Sequence, residues 1–175
     1  ANCNATGSTT DATGYEAGAT VTLQANEFTL VGHTFAGWTE DDDDITISSN
    51  QFTMPDHDVV ITASWTAKVD KYFDRMHDQT DDLHGGVVET EGTNEGKYYI
   101  AKTGCNYSIP TAVDSNTGDA CQTSHYKLQG WIAASYVASD GTITPANLAA
   151  HLFPPTGTKT ATGATYYAVW AEVTE

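Results

Sequence analysis

The chain has 175 residues, a hydrophobic fraction of 39% and a formal net charge of −16, from 7 Lys+Arg against 23 Asp+Glu. That balance excludes a nucleic-acid partner, whose phosphates demand clustered Lys and Arg, and docking on anionic lipid. No apolar run approaches the ~20 residues of a membrane-spanning helix, so no membrane insertion is expected, and the length allows one domain or two small ones. Read in order, GATVTLQA (18–25) alternates after a Gly and ends in a turn. GHTFAGW (32–38) is a second alternating run, closed by Gly37-Trp38. TEDDDD (39–44) follows, and MPDHD (54–58) is a turn in which Pro fixes φ and Asp side chains bond nearby backbone. DVVITASW then sets Val59, Ile61, Ala63 and Trp65 on one face, which is a half-buried strand.

The middle of the chain breaks this rhythm. Residues 68–83 place apolar side chains at 69, 72, 73, 76 and 83, a spacing that predicts a connecting helix. GGVVETEGTNEG (85–96) reads as a turn or hairpin before the strand KYYIAKT (97–103). Then the opening pattern returns: GCNYSIPTA (104–112), YKLQGW (126–131) and ATYYAVWAE (164–172) repeat the three earlier blocks in the same order. Superposing Gly37-Trp38 on Gly130-Trp131 sets Phe35 on Leu128. Superposing Trp65 on Trp170 sets Ile61 on Tyr166. The two Trp of a copy lie 27 residues apart in the first and 39 in the second, so an insertion falls between about Ser139 and Lys159. Within it, Thr144 is an N-cap, Pro145 the first helical residue and Pro154-Pro155 the stop of a short helix.

The fold class expected is therefore mainly β (α+β). Residues 1–67 form one module, 68–96 a helical and loop connector, and 97–175 a diverged second module with its insertion at 139–159. Trp38, Trp65, Trp131 and Trp170, with Phe35 and Ile61, are the expected structural core; the competing reading makes the Trp side chains exposed platforms for sugar rings. Residues 1–13 lack the first strand that KYYIAKT supplies later, and a neighbouring chain is able to complete such a sheet edge.

Gly-x-x-Val-x-Leu, then Gly-His-Thr-Phe-Ala-Gly-Trp, then Thr-Met-Pro-x-His-Asp-Val-x-Ile-x-Ala-x-Trp resembles the Listeria–Bacteroides repeat, the internalin B-repeat type of module. The likeness spans residues 14–67 closely and 97–172 more loosely. It implies small β-grasp-like modules on secreted or wall-attached bacterial proteins, acting as spacers or in ligand binding, and no enzyme. It assigns no catalytic residue.

Site chemistry is sparse. A disulfide between Cys105 and Cys121 would close a polar loop; Cys3 is then free or pairs with another chain. Asn4 and Asn106 open N-glycosylation sequons. Asp41–Asp44 offer oxygens to calcium, but D-x-D-x-D-G spacing is missing and a solvated acidic turn is the plainer reading. The six His form no close ligand pair; His77 and His84 near Asp81 come nearest. No G-x-S-x-G, phosphate loop or dinucleotide fingerprint occurs, so neither catalysis nor a cofactor is expected. Tyr rows in KYYI and TYYAVW face a partner, or else cover a second core. Ala1 follows no signal peptide and reads as a processed N-terminus or a boundary set in a longer chain. The expectation is an extracellular or cell-surface repeat protein, adhesive or spacer, contacting a protein or glycan. The alternative is a filament or surface-layer subunit that associates with copies of itself by strand exchange.

Overall fold

The computed structural model describes residues 3–7, 11, 13–74, 87–111 and 126–172. The chain is mainly β and divides into two compact units, residues 2–67 and 68–175.

The first unit holds β1 (Ala5–Thr6), β2 (Thr20–Thr22), β3 (Thr29–Leu30), β4 (His33–Glu40), β5 (Gln51–Thr53) and β6 (Ile61–Ala67). They pair antiparallel as β1–β3, β2–β5 and β4–β6. Alternation explains the burial: in β2 and β5 only the central Val21 and Phe52 point inward. With Ile45 they form a small core, flanked by Tyr15, Leu23, Ile47, Met54, Val59 and Ile61.

The second unit contains β7 (Val69–Phe73), β8 (Val87–Val88), β9 (Tyr98–Thr103), β10 (Tyr107–Ser108), β11 (Tyr126–Ala133), α1 (Pro145–His151), β12 (Thr158–Lys159) and β13 (Thr165–Glu172). Five strands make one sheet in the order β11-β13-β7-β9-β8. The β13–β7 pair is parallel and the other pairs are antiparallel; β10 and β12 pair apart from it. The expected hairpin before Tyr98 is β8–β9, turned by a 3-10 segment at Gly92–Asn94.

The helix expected over 68–83 is not found at its start, because Val69–Phe73 is a strand at the centre of the sheet; residues 75–86 lie outside the described residues. A strand with both faces covered buries successive side chains, here Asp70, Tyr72, Phe73, and so imitates helical spacing. On one face Tyr72 packs with Ile109, Trp131, Tyr166 and Ala168. On the other, Phe73 meets the rings of Tyr99 at 5.2 Å and Tyr167 at 6.1 Å. The Tyr rows thus cover a second packed face.

Asp70 has no exposed surface. Its Oδ1 accepts the backbone N–H groups of Thr162, Gly163 and Ala164, each at 2.9 Å, and its Oδ2 accepts the Tyr107 hydroxyl at 2.6 Å. Since Tyr107 gives its proton to Asp70, Tyr72 donates to Tyr107, at 2.6 Å. Burial holds both phenols well above the ordinary tyrosine range, so both stay protonated donors.

The inserted helix is α1. The Thr144 hydroxyl accepts the Asn147 N–H at 3.1 Å and Pro145 opens the first turn, as expected. Thr144→Ala should lower the stability of the second unit by about 0.5–2 kcal/mol in urea titration.

Candidate functional site

The two Gly-Trp strands form the same hairpin. In β4–β6 the pairs are Phe35↔Trp65, Gly37↔Ser64 and Trp38↔Ala63, with a register shift between Phe35 and Gly37. In β11–β13 they are Leu128↔Trp170, Gly130↔Val169 and Trp131↔Ala168, with the shift between Leu128 and Gly130. Ala36 and Gln129 are thus the extra residues of equivalent β-bulges. A bulge brings two residues three apart in sequence onto one face. Phe35 and Trp38 accordingly stack edge-on at 5.2 Å, and Phe35 meets Trp65 at 5.6 Å. The pairing Val21↔Phe52 likewise answers to Tyr107↔Lys159.

The environments of the two hairpins differ. Trp131 has no exposed surface. Tyr72 lies 4.8 Å from its ring, edge-on, and 4.8 Å from the Tyr166 ring, stacked. The Trp131 indole N–H donates to the Pro110 carbonyl at 2.9 Å. The chain leaving α1 adds a third cover: Trp131 and Phe153 exchange backbone bonds at 2.9 and 3.0 Å. A Cβ on Gly130 would lie 2.1 Å from the Phe153 carbonyl oxygen, so glycine is needed there for close approach. At Gly37 nothing lies within 4 Å of such a Cβ; its φ of +133° is what favours glycine.

Trp38 instead meets the rings of Phe28 at 6.2 Å and Phe35 at 5.2 Å, both edge-on. It is half-buried and lines an open groove of about 430 Å³ with Val21, Leu23, Phe28, Phe52 and Ile61. Asp11, Tyr15 and Asp58 add polar groups to its walls. Asp11 accepts the Thr13 N–H at 2.9 Å and the Tyr15 hydroxyl at 2.7 Å. Those bonds, the Thr13 N–H foremost, hold its carboxyl below the usual carboxylate range. Trp65 and Phe35 sit half-buried beside the groove-lining Trp38, and Trp170 donates its indole N–H to Asp74 at 3.1 Å. Of the six expected core residues, therefore, only Trp131 is fully enclosed. The first strand not expected within residues 1–13 is present as β1, Ala5–Thr6, paired with β3.

The acidic turn gathers Asp42, Asp44 and His57, whose ligand-type atoms lie within 4.8 Å of one another. Asp41 and Asp43 do not join them, and the imidazole was not foreseen. Asp42 accepts the Asp44 N–H at 2.9 Å and bonds the His57 ring. These contacts make an exposed turn that satisfies itself, without the six or more oxygens calcium takes. Bonds to Asp42 and then Asp56 raise the His57 pKa above 6.5, and bonds from Asp44 and His57 lower that of Asp42 below 3.8. The folded imidazole holds its proton more tightly than the unfolded one, so its contribution is complete below about pH 6.5 and fades as pH rises through the folded value. Asp42's contribution is present above about pH 4 and fades on acidification. Urea midpoints of the first unit should therefore fall on the alkaline side, and His57→Gln should flatten that limb.

Cys3 and Cys105 are both disulfide-bonded, so Cys3 is not a free thiol. Cys121 lies outside the described residues, and with it the expected Cys105–Cys121 pairing. His77, Asp81 and His84 lie outside them too. Asn4 and Asn106 are exposed, the latter in a left-handed turn at φ +62°.

A bulged Gly-Trp hairpin built twice into one chain defines a β-repeat protein. Residues 1–69 match the divergent InlB B-repeat domain, so the first module is similar to that repeat, a kind typical of bacterial surface proteins. No curated protein and no solved structure matches the chain. Among the described residues no helix is long and apolar enough to cross a membrane.

Proposed function

We propose that this chain is a non-enzymatic part of an extracellular or cell-surface repeat protein, in which the second unit is a closed spacer and the first module contacts a protein or glycan. The observation that carries this reading is the groove beside Trp38, which the equivalent place around Trp131 lacks. An aromatic wall with a few placed polar groups is what binding clefts of ~300–1,000 Å³ offer. Acidic walls favour a partner with basic groups. The test has two arms. Antibody to the second unit should label intact producing cells and lose that label after brief protease treatment; labelling only after permeabilisation overturns the surface placement. The full chain, probed against glycans and extracellular proteins, should bind in a manner that Trp38→Ser removes; binding indifferent to that change overturns the groove.

One observation favours the second reading, a self-assembling subunit. β6 pairs with β4 alone among the described residues, which leaves one edge open to exchange. Light scattering that rises with concentration supports assembly, and a monomer at high concentration speaks against it.

A further inference from the structure

The groove beside Trp38 joins an aromatic lining to a charge pattern peculiar to its own module. Residues 1–67 hold 10 of the 23 Asp+Glu and none of the 7 Lys+Arg, so the module has no Lys or Arg to neutralise its carboxylates. Two of those carboxylates, Asp11 and Asp58, are exposed and stand on the groove walls. The Thr13 N–H and the Tyr15 hydroxyl each hold one oxygen of Asp11, at 2.9 and 2.7 Å. A carboxylate has about four acceptor positions, so about two stay open to a further donor. Asp58 directly follows His57, which bonds Asp42 of the acidic turn. In the lining, the rings of Trp38 and Phe28 lie 6.2 Å apart at 76°, which sets aromatic surface in two orientations.

We infer that this groove seats an arginine side chain presented by a basic, extended segment of a protein partner. The inference rests on the reading of the groove as the contact site and names its occupant. A guanidinium is a planar cation that stacks on aromatic faces, and its five N–H donors form a fork suited to carboxylates. Lysine concentrates its charge in a strongly hydrated ammonium and gains less from the rings. Val21, Leu23 and Phe52 give the arginine stem and its apolar neighbours a surface to cover. A neutral glycan would cover the carboxylates without matching their charge, and burying an unpaired charge is costly. A second copy of the module brings charge of the same sign and is repelled.

A capped peptide of sequence Gly-Ser-Val-Arg-Val-Ser-Gly, and its versions with citrulline or lysine at the centre, test this on the full chain by NMR titration. The arginine peptide at millimolar concentration should shift the Trp38 indole and Phe28 signals and leave those of Trp131 in place. Citrulline keeps the shape of arginine without its charge and should bind about tenfold more weakly, with lysine between the two. Raising the salt from about 0.01 M to about 1 M should weaken the arginine peptide several-fold and the citrulline peptide little. Asp58→Asn, an exposed change whose amide spectrum reports the retained fold, should weaken the arginine peptide about threefold. No shift at Trp38, a citrulline or lysine peptide that binds as well as the arginine one, or arginine binding that neither Asp58→Asn nor Asp11→Asn weakens overturns the inference. If every peptide fails while a glycan or protein still binds in a Trp38-dependent way, the contact site stands and only its occupant is wrong. If both fail, the groove is no contact site.

Discussion

Trp131→Ala should cost the second unit about 3–5 kcal/mol, whereas Trp38→Ala should cost the first about 1–2 kcal/mol. The two side chains occupy equivalent positions in equivalent hairpins, so composition and strand propensity cancel in the comparison. What remains is cover. Trp131 is sealed under Tyr72, Tyr166 and the chain around Phe153, and its indole N–H is bonded to the Pro110 carbonyl. Its removal leaves a cavity that the flanking rings cannot fill and a buried carbonyl without its donor. Trp38 faces a groove already open to solvent, so truncation there forfeits less transfer free energy and makes little new void. Urea unfolding followed separately in each unit by NMR reads both values. Equal losses would mean that Trp38 is as enclosed as its twin.

Asp70→Ala should destabilise the second unit by about 3–5 kcal/mol, and Asp70→Asn by about 1–3 kcal/mol. The carboxylate gathers three backbone N–H groups from Thr162–Ala164 and the Tyr107 hydroxyl, all around the strand at the centre of the sheet. Alanine leaves those donors without an acceptor in the interior. Asparagine retains an oxygen toward the three N–H groups but turns its amide toward Tyr107, whose hydroxyl must then reverse. The same urea titration gives both numbers; an Asp70→Ala variant within 1 kcal/mol of the parent, a bound set by the cost of a single ordinary hydrogen bond, would show that water reaches this network.

Much of the fold is readable in the sequence, for local reasons. Gly37-Trp38 and Gly130-Trp131 align with Trp65 and Trp170 because each pair closes one hairpin, and cross-strand partners must be conserved in spacing within a strand. Thr144-Pro145 marks the start of α1 because its cap bond spans three residues. Features that depend on distant chain are not readable. The bulges at Ala36 and Gln129 leave no signature in a strict period of two, yet they decide that Phe35 and Trp38 share a face. Residues 69–73 imitate a helix because the sheet covers both sides of them, and Asp70 looks like one of 23 acidic side chains until the segment 162–164 folds over it. The groove is harder still to foresee. Its walls come from side chains scattered between residues 11 and 61, so no local pattern announces it.

The open hairpin edge is the central claim, and residue-resolved amide exchange of the full chain tests it most directly. In an antiparallel pair alternate amides point away from the partner strand. Along 61–67 protection should therefore alternate, with every second amide exchanging at least about tenfold faster than its neighbours. At Tyr166 and Tyr167, where β13 has partners on both sides, both amides should be protected. Continuous protection along 61–67, equal to that of Tyr166 and Tyr167, would contradict the account.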